Sequence, residues 1–299
     1  MKTNDLYSKL INSLQGRRDV WIEKHKVHYK KGKYDVLKIK SRNIGKKDKV
    51  VLITAGIHGD EIAGPLTLFK YINEIITRAH TQGLKIIIYP LTNPSGFDKT
   101  RYNIDNYKGT YGNNDFIRYT LKDGRIVDDL GSSTDFVSFD LPKVTDKILP
   151  QETRLLHSLI KKDIKNNIIA SIDLHQDYLT PTKESGAYHY SFGNLKLYKD
   201  IIKQIEKIVP IYKNKPVGAG FSVKISKDGK IAKGISNDLV VSDKQGFIVR
   251  HDGSLSDYMF RLGVKYCVTT ETFSATPLDV ACKVNLIWIK GIIDLAAKD

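Results

Sequence analysis

Two residues that can bind a metal ion, His58 and Glu61, follow the apolar segment 50–57 and lie three positions apart. A third candidate ligand, His175, follows a second apolar segment at 168–174. Catalytic Zn²⁺ takes three nitrogen or oxygen ligands from the protein and keeps a fourth position for water. Two ligands close in sequence and one distant histidine are typical of such a site. The sequence therefore predicts a catalytic zinc centre.

A carboxylate that could act as the base of this centre is Glu271, which follows the apolar segment 263–268. Zinc lowers the pKa of a bound water to roughly 7 and polarises the carbonyl under attack. A nearby carboxylate is still needed to take up the proton and return it. We therefore predict Glu-assisted attack of zinc-bound water, with Glu271 as the catalytic residue.

The elements that must position these residues show the pattern of a partly parallel sheet. A strand at 49–57, a helix at 61–77 and a strand at 85–90 form a βαβ unit with a right-handed crossover. Further strands are predicted at 168–175 and 264–271. Ligands in open α/β sheets collect at the carboxyl ends of the strands. We expect these four ends to converge and to bring the candidate residues together.

The remaining pattern indicates one α/β domain over residues 1–299. A helix near 4–14 and a hairpin of strands 20–29 and 34–40 place residues 1–45 in that same domain. Residues 93–150 and 213–259 are rich in turn formers and are predicted as loops. The other predicted helices span 151–165, 194–207 and about twenty residues from Pro277.

Composition narrows the class of protein. The chain has 299 residues, 41% hydrophobic content and a formal net charge of +15. Its lysines are scattered along the chain, so we expect a solvated basic surface or steering of an anionic substrate rather than nucleic-acid binding. Cys267 and Cys282 fall in predicted core elements and are expected to be free thiols. No apolar segment is long enough for a membrane span, so no membrane partner is expected.

We expect a cytoplasmic protein because the N-terminus lacks the apolar region of a signal peptide. A secreted protein whose leader has been removed is the alternative. The sequence does not predict an oligomeric state.

Several short motifs carry a family resemblance over most of residues 50–275. They resemble the zinc carboxypeptidases of the carboxypeptidase A type, most closely the bacterial branch of murein-peptide amidases and succinylglutamate desuccinylase-like enzymes. The matching pieces, in chain order, are Gly56–Glu61, Asn93–Gly96, residues 100–103, Asp173–His175 and residues 253–258, leading to Glu271.

The resemblance implies a mixed sheet of about eight strands sandwiched between helices. It also implies zinc ligands His58, Glu61 and His175, with Glu271 as general base and then general acid. Arg101 matches the arginine that stabilises the oxyanion of the tetrahedral intermediate. Asp173 lies two residues before His175 and would share its face of a strand, so it could orient the imidazole.

Two departures from the family concern substrate binding. The family usually has an arginine that grips the substrate carboxylate, and Asn114 stands at that position here. Arg118 or Arg250 could supply the missing cation. A family tyrosine before the catalytic glutamate also lacks a match, and His251 or Tyr258 could substitute for it. We therefore take Arg118, Asn114 and His251 as candidate substrate-binding residues.

The sequence is compatible with three functions. The first is hydrolysis of a peptide amide bond by a metallocarboxypeptidase or peptide amidase, with cell-wall peptides among the candidate substrates. The second is zinc-dependent deacylation of N-acyl amino acids. Those enzymes usually carry a domain after the catalytic glutamate, and only 28 residues (299 − 271) follow Glu271 here. The third is a non-catalytic basic binding module, which would bind anions in a salt-sensitive way without zinc.

Overall fold

The computed structural model describes residues 2–99, 101–105, 113–142, 149–178, 180, 183–215, 217, 231–232 and 241–299. Thr100 of the family motifs and parts of the two predicted loop regions lie outside the described residues.

The chain alternates strands and helices. The strands are β1 (Val20–Tyr29), β2 (Gly32–Ser41), β3 (Lys49–Ala55), β4 (Lys85–Tyr89), β5 (Arg118–Thr120), β6 (Ile126–Val127), β7 (Ser138–Asp140), β8 (Asn167–Leu174), β9 (Ala187–Phe192), β10 (Ile231–Ala232), β11 (Phe247–Ile248) and β12 (Tyr266–Thr272). The helices are α1 (Thr3–Ser13), α2 (Ala63–Thr81), α3 (Pro94–Lys99), α4 (Gln151–Asp163), α5 (Lys199–Ile205), α6 (Leu255–Arg261) and α7 (Leu278–Ala297).

The main sheet has eight strands in the order β1-β2-β4-β3-β8-β12-β9-β11. Strands β4, β3, β8 and β12 are neighbours and run parallel. The sheet is mixed, because β1 and β2, β2 and β4, and β12 and β9 pair antiparallel. The predicted fold class is confirmed, and the predicted convergence of four carboxyl ends follows from this strand order.

Both faces of the main sheet are buried, as expected for strands connected by crossover helices. Side chains of β3 alternate between the two sides. Val51 and Ile53 belong to the core under α2 and α7, whereas Val50 and Leu52 belong to the core on the opposite face. Residues of α1 join the first of these cores through Leu6 and Leu10, among others.

The predicted hairpin is confirmed as β1 and β2. The region 93–150 is less irregular than predicted. It contains α3 and the three short strands β5, β6 and β7, which together with β10 form a second sheet in the order β10-β6-β5-β7. The predicted helix 194–207 is a 3₁₀ turn, Leu195–Tyr198, followed by α5.

Strands β9 and β11 of the main sheet and helix α6 were not predicted. Strand β9 pairs with β12, and helix α6 begins after Ser254, whose side chain accepts a hydrogen bond from the backbone N–H of Asp257. Among the described residues, no helix combines the length and apolar character that a membrane crossing requires.

Candidate metal centre

His58 is delivered by a sharp turn at the end of β3. Gly56 has a φ of +69°, and a Cβ at this position would lie 2.6 Å from the side chain of Leu91. Only glycine tolerates both the left-handed backbone and the close approach. The turn is fixed further along, because the N–H of Gly59 donates to the carbonyl of Arg101 at 2.8 Å. Glu61 follows within the same turn, just before α2.

His175 comes from the neighbouring parallel strand, immediately after β8. Its backbone N–H donates to the carbonyl of Thr270 in β12 at 3.0 Å. This bond ties the ligand candidate to the strand that carries Glu271. The sheet order therefore places all four residues at one edge, as the strand-end argument predicts.

The side chains of His58, Glu61 and His175 converge on a single point. One potential ligand atom from each residue lies within 4.8 Å of the corresponding atoms of the other two. All three side chains are buried, with relative exposures of 5%, 3% and 1%. A buried group of this composition is the donor set of a catalytic zinc site.

One ring nitrogen of this group lacks a hydrogen-bond partner and is therefore available to bind a cation. Nδ1 of His58 is buried and has no hydrogen-bond partner among the described residues. Burial, together with the charges of Arg101 and His175, holds the pKa of His58 well below its ordinary value. A neutral imidazole with an unpartnered ring nitrogen can act as a metal ligand, and beside Glu61 and His175 this nitrogen fits Zn²⁺.

His175 lies between two carboxylates. Its Nδ1 is 2.9 Å from Oε2 of Glu61, and its Nε2 is 3.0 Å from Oδ2 of Asp173. Burial lowers the pKa of His175, but the Asp173 and Glu61 carboxylates outweigh it and hold the pKa well above its ordinary value. A divalent cation facing Nδ1 would take the place of a proton there, while Asp173 keeps the other nitrogen in place.

Glu271 stands next to this group. Its Oε1 lies 4.0 Å from Nδ1 of His175, and its Oε2 is buried without a hydrogen-bond partner among the described residues. Burial, assisted by the carboxylates of Glu61 and Asp177, raises the pKa of Glu271 well above its ordinary value. A raised pKa makes the carboxylate a stronger proton acceptor, which suits a general base.

Arg101 contacts the carboxylate oxygen of Glu61 that does not face His175. Its Nη2 is 3.0 Å from Oε1 of Glu61, and its Nη1 is 3.2 Å from Oδ1 of Asp60. The guanidinium is thus a fixed cation at the rim of the group. The loop behind it is anchored by Asn103, whose Nδ2 donates to both carboxylate oxygens of the buried Glu152 at 3.0 Å.

The candidate substrate-binding residues are held by partners of their own. Arg118 donates to the carbonyls of Asn114 and Ile117 and pairs with Asp115 at 3.0 Å. Nδ1 of the buried His251 lies 2.7 Å from Oδ1 of Asp257. Among the described residues, Arg118, Asn114 and His251 make no hydrogen bond or ion pair with the three converging side chains, and their substrate role stays a prediction.

The other two residues considered for substrate binding are also held by the fold. Arg250 pairs with Asp129 at 2.5 Å, with both side chains largely buried. Tyr258 is buried in the hydrophobic core on the α4 side of the sheet.

Sequence reasoning missed two residues beside Glu271. Tyr188 in β9 lies directly opposite Glu271 in β12, and its hydroxyl donates to Oδ2 of Asp177 at 2.8 Å. The alternation of Tyr188, Tyr190 and Phe192 is a strand signal that could have revealed this element.

Comparison with known proteins agrees with this geometry. Residues 28–275 match the profile of the zinc carboxypeptidase family, Peptidase_M14. No curated protein matches the sequence.

Solved structures share the fold at low sequence identity. A provisionally assigned metallopeptidase from Shewanella amazonensis SB2B superposes with a TM-score of 0.68 at 18% identity, over 99% of this chain and 94% of that one. Bovine thrombin-activatable fibrinolysis inhibitor gives 0.59 at 18% identity, over 100% and 97% of the two chains. A metallo-carboxypeptidase from Pseudomonas aeruginosa gives 0.55 at 12% identity, over 97% and 68%.

The family profile covers more than half of the chain, and the His58–Glu61–His175 group lies within the matched residues. The chain therefore belongs to the zinc carboxypeptidase family, whose cofactor is Zn²⁺, and is a peptide hydrolase of that type.

Proposed function

We propose that the protein hydrolyses an amide bond of a peptide, with His58, Glu61 and His175 holding Zn²⁺ and Glu271 acting as general base and then general acid. The observation that carries this proposal is the buried group of three ligand atoms within 4.8 Å, with Glu271 beside it. A non-catalytic binding module would need neither the complete ligand set nor the adjacent carboxylate.

When bound, Zn²⁺ supplies a Lewis acid for the substrate carbonyl and lowers the pKa of water. Glu271 takes a proton from the attacking water as the carbon–oxygen bond forms. The same carboxyl group then gives that proton to the leaving nitrogen as the carbon–nitrogen bond breaks. The unpartnered Oε2 of Glu271 supports this role, because it is free to accept the proton.

Arg101 stabilises the negative charge that develops on the carbonyl oxygen. Its guanidinium is held by Asp60 and Glu61, so it is oriented before substrate binds. A fixed cation stabilises a transition state more than a mobile one, because it needs no reorganisation during the reaction. Asp173 acts through His175, whose Nε2 it holds at 3.0 Å.

The substrate is a peptide cleaved near a carboxylate-bearing end, with anionic cell-wall peptides as the candidate class. The net charge of +15 supports an anionic substrate through electrostatic steering. Arg118, Asn114 and His251 are proposed to contribute to binding it. For Arg118, a rise in KM with unchanged kcat in an Arg118→Gln variant would support the role.

The test is hydrolysis of a peptide panel by the zinc-loaded protein, followed by mass spectrometry of the products. Peptides with free C-termini, the same peptides with amidated C-termini and N-acyl amino acids form the three arms. We expect release of C-terminal residues from the first arm only. Cleavage confined to N-acyl amino acids would replace the proposal with deacylation. Salt-sensitive polyanion binding by protein without zinc, and no hydrolysis in any arm, would replace it with a binding module.

A further inference from the structure

Asp173, which contacts Nε2 of His175, forms a second buried hydrogen bond on its other carboxylate oxygen. Thr54 in β3 and Asp173 in β8 are register partners on adjacent parallel strands, and both side chains are buried. The hydroxyl of Thr54 donates to Oδ1 of Asp173 at 2.6 Å, while Nε2 of His175 lies 3.0 Å from Oδ2. Each carboxylate oxygen of Asp173 therefore has its own side-chain donor.

The residue paired with Asp173 on its other side, in β12, does not form a hydrogen bond with its carboxylate. Thr269 in β12 is the register partner of Asp173 on the other side. Its Oγ1 is 2.8 Å from the hydroxyl of Ser256 in α6, so it is engaged away from the carboxylate. Among the described residues, two side chains form hydrogen bonds with the Asp173 carboxylate, those of His175 and Thr54.

The direction of these bonds fixes the orientation of the imidazole. An ionised carboxylate only accepts hydrogen bonds, so the Thr54 hydroxyl must donate to it. Thr54 then occupies Oδ1 and leaves Oδ2 for the N–H at Nε2 of His175. An imidazole that carries its proton on Nε2 presents the lone pair of Nδ1 to Glu61 and the metal position.

We propose that Thr54 is a positioning residue of the metal centre. It holds the Asp173 carboxylate in the orientation that directs Nδ1 of His175 towards Zn²⁺. This inference rests on the proposed function, because it requires His175 to be a zinc ligand.

Thr54→Val tests the proposal with a substitution that keeps the shape of the side chain and its preference for a strand. Loss of a residue behind a histidine ligand lowers metal affinity by about 10- to 100-fold. We expect Thr54→Val to weaken zinc binding within that range, as measured by competition with a chromophoric chelator. Thr54→Ser keeps the donor and should restore most of the affinity.

Thr153→Val is the matched control. Thr153 is a buried threonine in α4 whose hydroxyl has no hydrogen-bond partner among the described residues, and the zinc affinity of this variant should match that of the wild type. A second readout does not depend on activity. In zinc-loaded protein the Nε2–H proton of His175 reports its hydrogen bond to Asp173, and Thr54→Val should shift its ¹H resonance or broaden it through faster exchange with water.

The outcomes separate this inference from the function on which it rests. Unchanged zinc affinity and an unchanged Nε2–H resonance of His175 in a folded Thr54→Val protein overturn the role of Thr54. A Thr54→Ser variant as weak as Thr54→Val overturns it as well, because the hydroxyl would then be irrelevant. Full zinc binding by His175→Ala overturns the proposed metal centre itself. If Thr54→Val does not fold, Thr54→Ala gives the same comparison.

Discussion

Oε1 of Glu271 lies 4.0 Å from Nδ1 of His175, and the two residues come from the ends of adjacent parallel strands. The other carboxylate oxygen of Glu271 is buried without a hydrogen-bond partner among the described residues. Glu271 therefore offers a potential proton acceptor next to His175, although it is not one of the three candidate metal ligands. In the proposed mechanism, metal binding and proton transfer therefore belong to different residues, and each can be removed independently.

Glu271→Gln should remove proton transfer and leave metal binding intact. Glutamine has nearly the same shape but cannot take up the proton, so we expect kcat to fall by roughly 10²- to 10⁴-fold. Zinc content, measured by atomic absorption, should match that of the wild type. Near-normal peptide hydrolysis by the folded, zinc-loaded variant would be incompatible with the proposed role of Glu271.

His58→Ala should instead abolish tight zinc binding. The side chain contributes a buried ring nitrogen with no other partner among the described residues, and alanine offers no ligand. Zinc stabilises the wild type by mass action, by about 2.7 kcal/mol at a hundredfold excess over Kd. We expect chelation to lower the Tm of the wild type but not that of His58→Ala. A variant that still binds stoichiometric zinc with unchanged affinity would show that His58 is not a ligand.

Arg101→Gln should lower kcat by about 10²- to 10³-fold with little change in KM. The lost group is a fixed cation that stabilises charge present only in the transition state. Because Arg101 also pairs with Glu61, zinc content must be measured alongside the kinetics. Arg101→Lys keeps the charge and should recover part of the rate. A variant that loses zinc, or changes only in KM, would assign Arg101 to metal retention or to substrate binding.

The grouping of His58, Glu61 and His175 could be predicted from sequence because each residue follows a strand, and parallel strands end at the same edge of the sheet. His58, Glu61 and His175 needed only the βαβ unit and the next strand to come together. The short strands β5, β6 and β7 could not be predicted in this way. Each has two or three residues, too few to show a period, and β6 also pairs with β10, about a hundred residues further along the chain.

Strand β9 escaped prediction for a different physical reason. Polar His189 and Ser191 are buried on one face of the strand, while Tyr188 and Tyr190 lie on the other. A strand buried on both faces, with polar residues on one of them, loses the simple apolar pattern. The contacts of Tyr188 with the Glu271 region depend on the register of β9 against β12, which the sequence does not reveal. The Thr54–Asp173 hydrogen bond depends on register in the same way.

Glu152→Gln should change how stability depends on pH. Burial raises the pKa of Glu152 to about 7 in the folded protein. Its unfolded pKa is near 4.5, so its contribution to stability is fully present below pH 4.5 and is lost as pH rises through 7. The loss approaches roughly 3 kcal/mol. The glutamine side chain of the variant does not titrate, so urea unfolding should show the variant gaining on the wild type from pH 5 to pH 8. A constant difference between the two proteins across this range would contradict the expectation.

His157→Leu, in the same helix, should act in the opposite direction. Burial, with help from the charge of Arg118, lowers the pKa of His157 to about 4 from an ordinary value of 6.5. The unfolded chain therefore binds a proton more readily, and the folded protein loses stability as pH falls from 6.5 through 4. This loss also approaches roughly 3 kcal/mol.

Leucine has no charge to bury and is a good helix former, so His157→Leu should lack this acid-induced loss. Urea unfolding at pH 7.5, 6, 5 and 4 measures the effect as the difference between variant and wild type, which cancels the titration of all other groups. The difference should move in favour of the variant as pH falls. Zinc affinity should not change, because His157 packs against Phe116 with ring centroids 4.9 Å apart and lies outside the His58–Glu61–His175 group. Parallel pH curves for the two proteins would show that His157 titrates alike in the folded and unfolded states.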